Sequence, residues 1–213
     1  MTLLEWAGVD PNRVSERMRL AELFARIDQL NGADEAEDTD YDGTRLPAAV
    51  LYGRRMSEEL ANFSPEAATE LRIAARGQHI ERFRIPRHTY PDTRAGYLKW
   101  RQDLKVFHGR RLRDVMTEAG YSEAVQDRVV FIASKKAMKE DVESQTLEDV
   151  ACLVFLRFYL TAFCEQHDDA KIISILRKTW PKLSDRGRYY AALVPLSGRP
   201  EALLAQALDS ASS

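Results

Sequence analysis

A chain of 213 residues and 24.3 kDa is long enough to bury a core without disulfides or metal staples, and its length suits one domain. A composition 45% hydrophobic and 30% charged is globular rather than disordered, and no apolar run reaches the length that spans a bilayer. The net charge of -2 conceals two biased segments: six acids without a base from Asp34 to Asp42, and twelve Lys or Arg against Glu81, Asp92 and Asp103 between residues 72 and 113.

Met1-Thr2-Leu3-Leu4-Glu5-Trp6 lacks the basic start and apolar stretch of a secretory signal, so a cytoplasmic protein is expected. From Val14 to Leu30, apolar residues recur at helical spacing and Asn31-Gly32 supplies a stop. The acidic stretch within 32–46 is polar enough to read as a solvated surface loop. Pro47 suits the first turn of a helix running to Phe63. Ser64-Pro65 offers a serine cap and a first-turn proline for the next helix, which carries Leu71, His79 and Phe83 and ends at Pro86.

Residues 84–93 hold two prolines and form a connection. Thr93 can cap a long helix through Trp100, Arg101, Lys105 and His108 to a Gly120 stop, and Ser122 opens another that ends at Lys135-Lys136. From about Thr146 to Cys164 the chain is apolar nearly all round, as a central buried helix would be, with Glu148 and Asp149 at its start. On that single helix Cys152 and Cys164 would stand about 18 Å apart, too far for a disulfide or a shared metal, so two buried thiols are expected. Asp168-Asp169 caps a helix that Pro181 interrupts, and two short helices follow, near 185–194 and 200–208. No segment alternates long enough to demand a sheet, so the class is all-α, a single domain of about seven to nine helices.

The chain lacks a Gly-rich phosphate loop, a paired-cysteine zinc spacing and a nucleophile elbow. What remains is His79, His108 and the pair Glu148-Asp149, a ligand set suited to divalent zinc, iron or manganese. On helical spacing Arg76, His79 and Phe83 share one face, and Arg101, Lys105 and His108 another. Such a basic face fits a pocket for phosphate or carboxylate, or salt bridges to Glu148, Asp149 and the acidic loop. Nucleic acid is disfavoured by the pI of 6.1 and the lack of a binding module.

The strings Ala75-Arg76-Gly77-Gln78-His79-Ile80-Glu81-Arg82-Phe83, Ile85-Pro86-Arg87, Arg94 to Arg101, Gln145 to Leu156 and Lys178-Thr179-Trp180 resemble the domain of unknown function 4202 family, nearly throughout the chain after about residue 18. More distantly, the order of helices and histidines resembles the HD-domain metal-dependent phosphohydrolases. That likeness implies an HD-type helical bundle, with His79, His108 and Asp149 as metal ligands. Tyr52 stands where a first histidine ligand is expected, and Ile80 replaces the aspartate of the His-Asp doublet; Glu81 lies about 100° further round a helix. The resemblance therefore implies a reduced metal site or a former site kept as a ligand pocket. For the first, the expected activity is metal-dependent hydrolysis of a small phosphorylated or nucleotide-like substrate, with Glu81 or Glu148 as base and Arg76, Arg87, Arg101 and Lys135 binding the anion. For the second, it is non-catalytic binding of an anionic metabolite or a partner protein.

Overall fold

The computed structural model describes residues 10–209, so the Met1–Trp6 stretch behind the cytoplasmic expectation lies outside them. The described residues form ten α-helices and one two-stranded sheet, in the order α1 Pro11–Asn31, β1 Glu37–Thr39, β2 Arg45–Pro47, α2 Ala48–Phe63, α3 Thr69–Gly77, α4 Arg94–Glu118, α5 Glu123–Ser134, α6 Val142–Val154, α7 Leu160–Gln166, α8 Asp169–Thr179, α9 Asp185–Ala192 and α10 Arg199–Asp209. The protein is all-α, and among the described residues no helix is long and apolar enough to cross a membrane. Contacts gather the chain into two compact units: one up to Ser57 plus Ala67–Ser134, the other Glu58–Glu66 plus the chain from Lys135 onward.

In the first unit α3 packs on α1 and α5, and α4 packs on α1 and α5. Leu23, Ile27, Leu51, Met56, Ile73, Leu112, Met116, Val129 and Ile132 are buried there. Thr93 caps α4 as its sequence suggests, its hydroxyl accepting from the Gly96 N–H at 3.0 Å. Three expectations are corrected here. The acidic stretch is not a plain solvated loop: Glu37–Thr39 pairs antiparallel with Arg45–Pro47, and Asp38 meets Arg55 of α2 at 2.6 Å. Its acids have specific partners, which a composition count does not reveal. Pro47 ends β2 rather than opening α2. Ser64-Pro65 lies in a turn, and α3 begins only at Thr69.

The third unexpected boundary shapes the site. Helix α3 stops at Gly77 instead of running to Pro86, so His79 does not share a helical face with Arg76 and Phe83. Residues 78–81 form a turn in which Glu81 is left-handed at φ 50°. A Cβ at Gly77 would collide with the Leu112 side chain of α4, so the glycine permits the close approach of the two elements at the helix end. Tertiary contacts then fix the turn: Asn31, the last residue of α1, accepts the Glu81 N–H at 2.8 Å and donates to the Ala49 carbonyl at 3.3 Å. Helix propensity loses to these partners.

In the second unit α6 continues through a π-helical turn, Phe155–Tyr159, into α7, so the expected central helix exists but opens a turn earlier, at Val142 under an Asp141 cap, and is interrupted. Leu147, Val150, Leu153, Val154 and Leu160 are fully buried along it. Arg157 in the π turn binds Glu59 at 3.0 Å. Helix α9 packs on α6, and α10 on α7 and α8. Cys152 and Cys164 are free, buried thiols. Burial pushes the Cys152 thiol up to about 12, so it is inert rather than nucleophilic.

Candidate functional site

The turn after α3 assembles a polar cluster within the first unit. Tyr52 of α2 stacks on His79 with ring centroids 4.7 Å apart and planes 18° from parallel. The ring of His108, from the middle of α4, lies 5.7 Å from that of His79. Gln78, buried beside them, donates to the Tyr52 hydroxyl oxygen at 3.1 Å. His79 and His108, two residues singled out in the sequence, are thus brought together, and Tyr52 joins them.

His108 is 5% exposed, and its Nδ1 lies 2.8 Å from the Ile80 carbonyl oxygen. A carbonyl oxygen can only accept, so Nδ1 carries the proton and Nε2 bears the lone pair. That Nε2 is buried with no hydrogen-bond partner among the described residues. Burial, reinforced by the charge of Arg82 and opposed by the Ile80 bond, pushes the imidazole pKa down to about 4, so the ring is neutral near pH 7.

Arg82 follows the turn and lays its guanidinium over the Trp100 ring, 4.7 Å from the centroid. The indole is held in place by its own N–H, which donates to the Ile85 carbonyl at 2.8 Å. Among the described residues no carboxylate and no hydrogen-bond acceptor meets the Arg82 side chain. Desolvation lowers its pKa, as does the neighbouring cation Arg101, while Tyr52 raises it. Arg101 itself rests against Tyr97, its Nη1 3.3 Å from the phenol oxygen.

The family model described as Domain of unknown function (DUF4202) matches residues 21–204. The chain belongs to the DUF4202 family. No curated protein and no solved structure matches it. The family's description names no activity, so the chemistry has to be read from this DUF4202 chain's own side chains.

The remaining sequence candidates are engaged elsewhere. Arg76 forks onto Asp28, with Nε 3.0 Å from Oδ1 and Nη2 2.6 Å from Oδ2. Arg87 donates to the Tyr90 carbonyl at 2.9 Å and to Asp92 at 3.3 Å. Glu81 is fully buried, its carboxylate gripped by Arg84 and, at 2.5 Å, by Arg111. In the second unit, Glu148 pairs with Lys135 at 2.8 Å and Lys182 at 3.6 Å. Lys135 is left-handed at φ 52°. Asp149 accepts from the Ser184 N–H at 2.8 Å, the Ser184 hydroxyl at 2.5 Å and the Gln145 amide at 3.0 Å. Ser184 in turn accepts from the Gly187 N–H at 3.0 Å as the cap of α9.

For a divalent metal the imidazoles of His79 and His108 fit as a donor pair, because the second nitrogen of His108 is fixed on a carbonyl in the way metal-bound histidines are oriented. The carboxylates fit poorly: Glu81 and Asp149 already spend their oxygens on arginines, a hydroxyl and amides. Among the described residues no group of three or more His, Cys, Asp or Glu is arranged to hold a metal ion.

Sequence reasoning missed Arg82, Asn31 and Arg111 as parts of the site. Arg82 stands three residues after His79, as Arg76 stands three before it, so spacing in the motif does not single it out. Asn31 carried no signal beyond that of a helix stop, because its partner is 50 residues away.

Proposed function

We propose that this DUF4202 protein binds a small phosphorylated or nucleotide-like ligand at the cluster of Arg82, Arg101, His79 and His108. The observation that carries the reading is Arg82, a half-buried guanidinium beside a second arginine, with no anion to meet it among the described residues. Partial burial of an uncompensated cation is unfavourable, and an incoming anion relieves it. A guanidinium held over an indole keeps its N–H fork for other partners, and that fork suits two phosphate oxygens. Calorimetric titration with inorganic phosphate and a nucleoside monophosphate tests this. Arg82→Gln should weaken binding on the order of tenfold or more; unchanged affinity in that variant sinks the reading.

A second reading goes further and is favoured by the paired imidazoles: metal-dependent hydrolysis of that ligand, with His79 and His108 donating to zinc, iron or manganese. Tyr52 stacks on His79 and the His108 ring lies beside it, at positions where the HD-domain resemblance puts ligands, which supports an HD-type ancestry for the cluster. Asp149 and Glu148 would serve only after surrendering their present partners. Elemental analysis after dialysis against each metal, on the parent protein and on His79→Ala with His108→Ala, decides it. Near-stoichiometric metal lost in the variant supports this reading, and a parent protein that retains none ends it. The two free thiols favour a reducing, cytoplasmic setting, in which such a ligand would be a small metabolite.

A further inference from the structure

Resting on the anion-binding reading, we propose that His108 makes the cluster selective for a phosphorylated ligand that presents a hydroxyl hydrogen, against anions of like charge that have none. The polarity follows from the Ile80 carbonyl. Because that oxygen takes the Nδ1 proton at 2.8 Å, Nε2 can only accept, and it stands buried with no donor from the described residues. Flipping the tautomer would place two lone pairs face to face at Nδ1. An imidazole of ordinary basicity, with a pKa of about 6.5, is already neutral at the pH of about 8 used below.

Two incomplete groups therefore act in concert. Among the described residues Arg82 offers donors and charge without an acceptor, and His108 offers an acceptor without a donor. The complement of the pair is an anionic oxygen together with an O–H on the same small molecule. Hydrogen phosphate has both, as does a phosphate ester with a hydroxyl on its carbon skeleton. Sulfate satisfies Arg82 but would turn an oxygen lone pair toward Nε2, leaving the imidazole unsatisfied. The selectivity is built by the turn: Asn31 and Arg111 hold Glu81, the residue after Ile80, and so fix the carbonyl that sets the tautomer.

The test is competition between near-isosteric anions on the full metal-free chain, by calorimetry at constant ionic strength. At about pH 8, above the second ionisation of a phosphomonoester near 6, inorganic phosphate keeps one hydroxyl, whereas methyl phosphate and sulfate have none. Inorganic phosphate should bind at least about tenfold more tightly than sulfate. Methyl phosphate identifies the source of the proton. If P–OH is the donor, it binds like sulfate at about pH 8 and gains affinity toward pH 5.5. If the donor is carbon-borne, ribose 5-phosphate outbinds methyl phosphate at the higher pH. His108→Phe should bring the phosphate-to-sulfate ratio to within about twofold while leaving sulfate bound, whereas Arg82→Gln weakens both. Equal binding of phosphate and sulfate by the unaltered protein, with ribose 5-phosphate no tighter than methyl phosphate, overturns the selectivity, needs no variant to fold, and leaves the anion-binding reading intact. A ratio that survives in His108→Phe overturns it as well. Binding of neither anion overturns the anion-binding reading and this one with it.

Discussion

In the second unit the buried carboxylate of Asp149 accepts three hydrogen bonds and completes the cap of α9; in the first unit His108 and Arg82 are left with an acceptor and a set of donors that nothing among the described residues meets. Both regions bury polar chemistry, and both looked catalytic in the sequence. What separates them is whether the chain itself supplies the partners. A satisfied network stabilises the fold, and removing a member costs stability. An unsatisfied pair costs stability while it stands alone and gains from a ligand, so removing it should cost binding instead.

The largest expected effect tests the satisfied side. Asp149→Ala leaves the Ser184 N–H and hydroxyl and the Gln145 amide without their acceptor and should lower unfolding free energy by about 3 kcal/mol or more, read by urea denaturation. Gly187→Ala probes the same spot from the other side, because its Cβ would lie 2.5 Å from the Asp149 Oδ1. Stability unchanged in both variants would break the contrast, since the network would then not be holding the unit together.

Next in size is a pH effect in the first unit. The folded His108 pKa is depressed to about 4 from an ordinary 6.5, so the unfolded chain binds the proton more readily. Stability is accordingly full above about 6.5 and is lost as pH falls toward 4, by roughly 3 kcal/mol across the window. His108→Phe should flatten that part of the stability-pH curve. A slope that persists in the variant assigns the effect to other groups.

A smaller difference sharpens the account of the turn. Glu81 is left-handed, a conformation that costs a residue with a side chain about 1 kcal/mol relative to glycine. Alanine and glycine at this position both forfeit the grip of Arg84 and Arg111, but glycine also relieves the backbone. Glu81→Gly should therefore be more stable than Glu81→Ala by about 1 kcal/mol, the reverse of their order within a helix. The usual order would mean that residues 78–81 follow the helical path their sequence suggests.

That helical path marks the limit of what the sequence disclosed. The helices opened by Thr93 and Asp168 were legible because their caps and periods are local: each cap bonds a backbone N–H three residues on. The end of α3 was not, because Gly77, Asn31 and Arg111 act through contacts 30 to 50 residues apart. For the site, the sequence grouped His79 and His108 with Asp149 and set Tyr52 at a lost ligand position; the structure puts the two histidine rings 5.7 Å apart with Tyr52 stacked on His79, and ties Asp149 to Ser184 and Gln145. The state of each polar group was not legible. Composition marks Arg76, Arg82 and Arg101 as equally basic; only the fold distinguishes the arginine that has found Asp28 from those that meet no anion among the described residues.

The smallest stability effect carries the most for function. Arg82 holds no ion pair among the described residues, so Arg82→Gln removes a half-buried charge and a contact with Trp100 whose losses oppose one another. Its unfolding free energy should stay within about 0.5 kcal/mol of the parent, as for substitutions that break no network. Arg76→Gln is the matched control: the same change one helical end away breaks a two-point bridge to Asp28 and should destabilise by about 2 kcal/mol while leaving phosphate affinity unchanged. Phosphate affinity should respond in the opposite order, with the stable Arg82→Gln variant the one that loses it. If instead Arg82→Gln unfolds easily and binds phosphate normally, Arg82 belongs with Asp149 among the structural groups, and the distinction between completed and incomplete networks no longer locates a site in this chain.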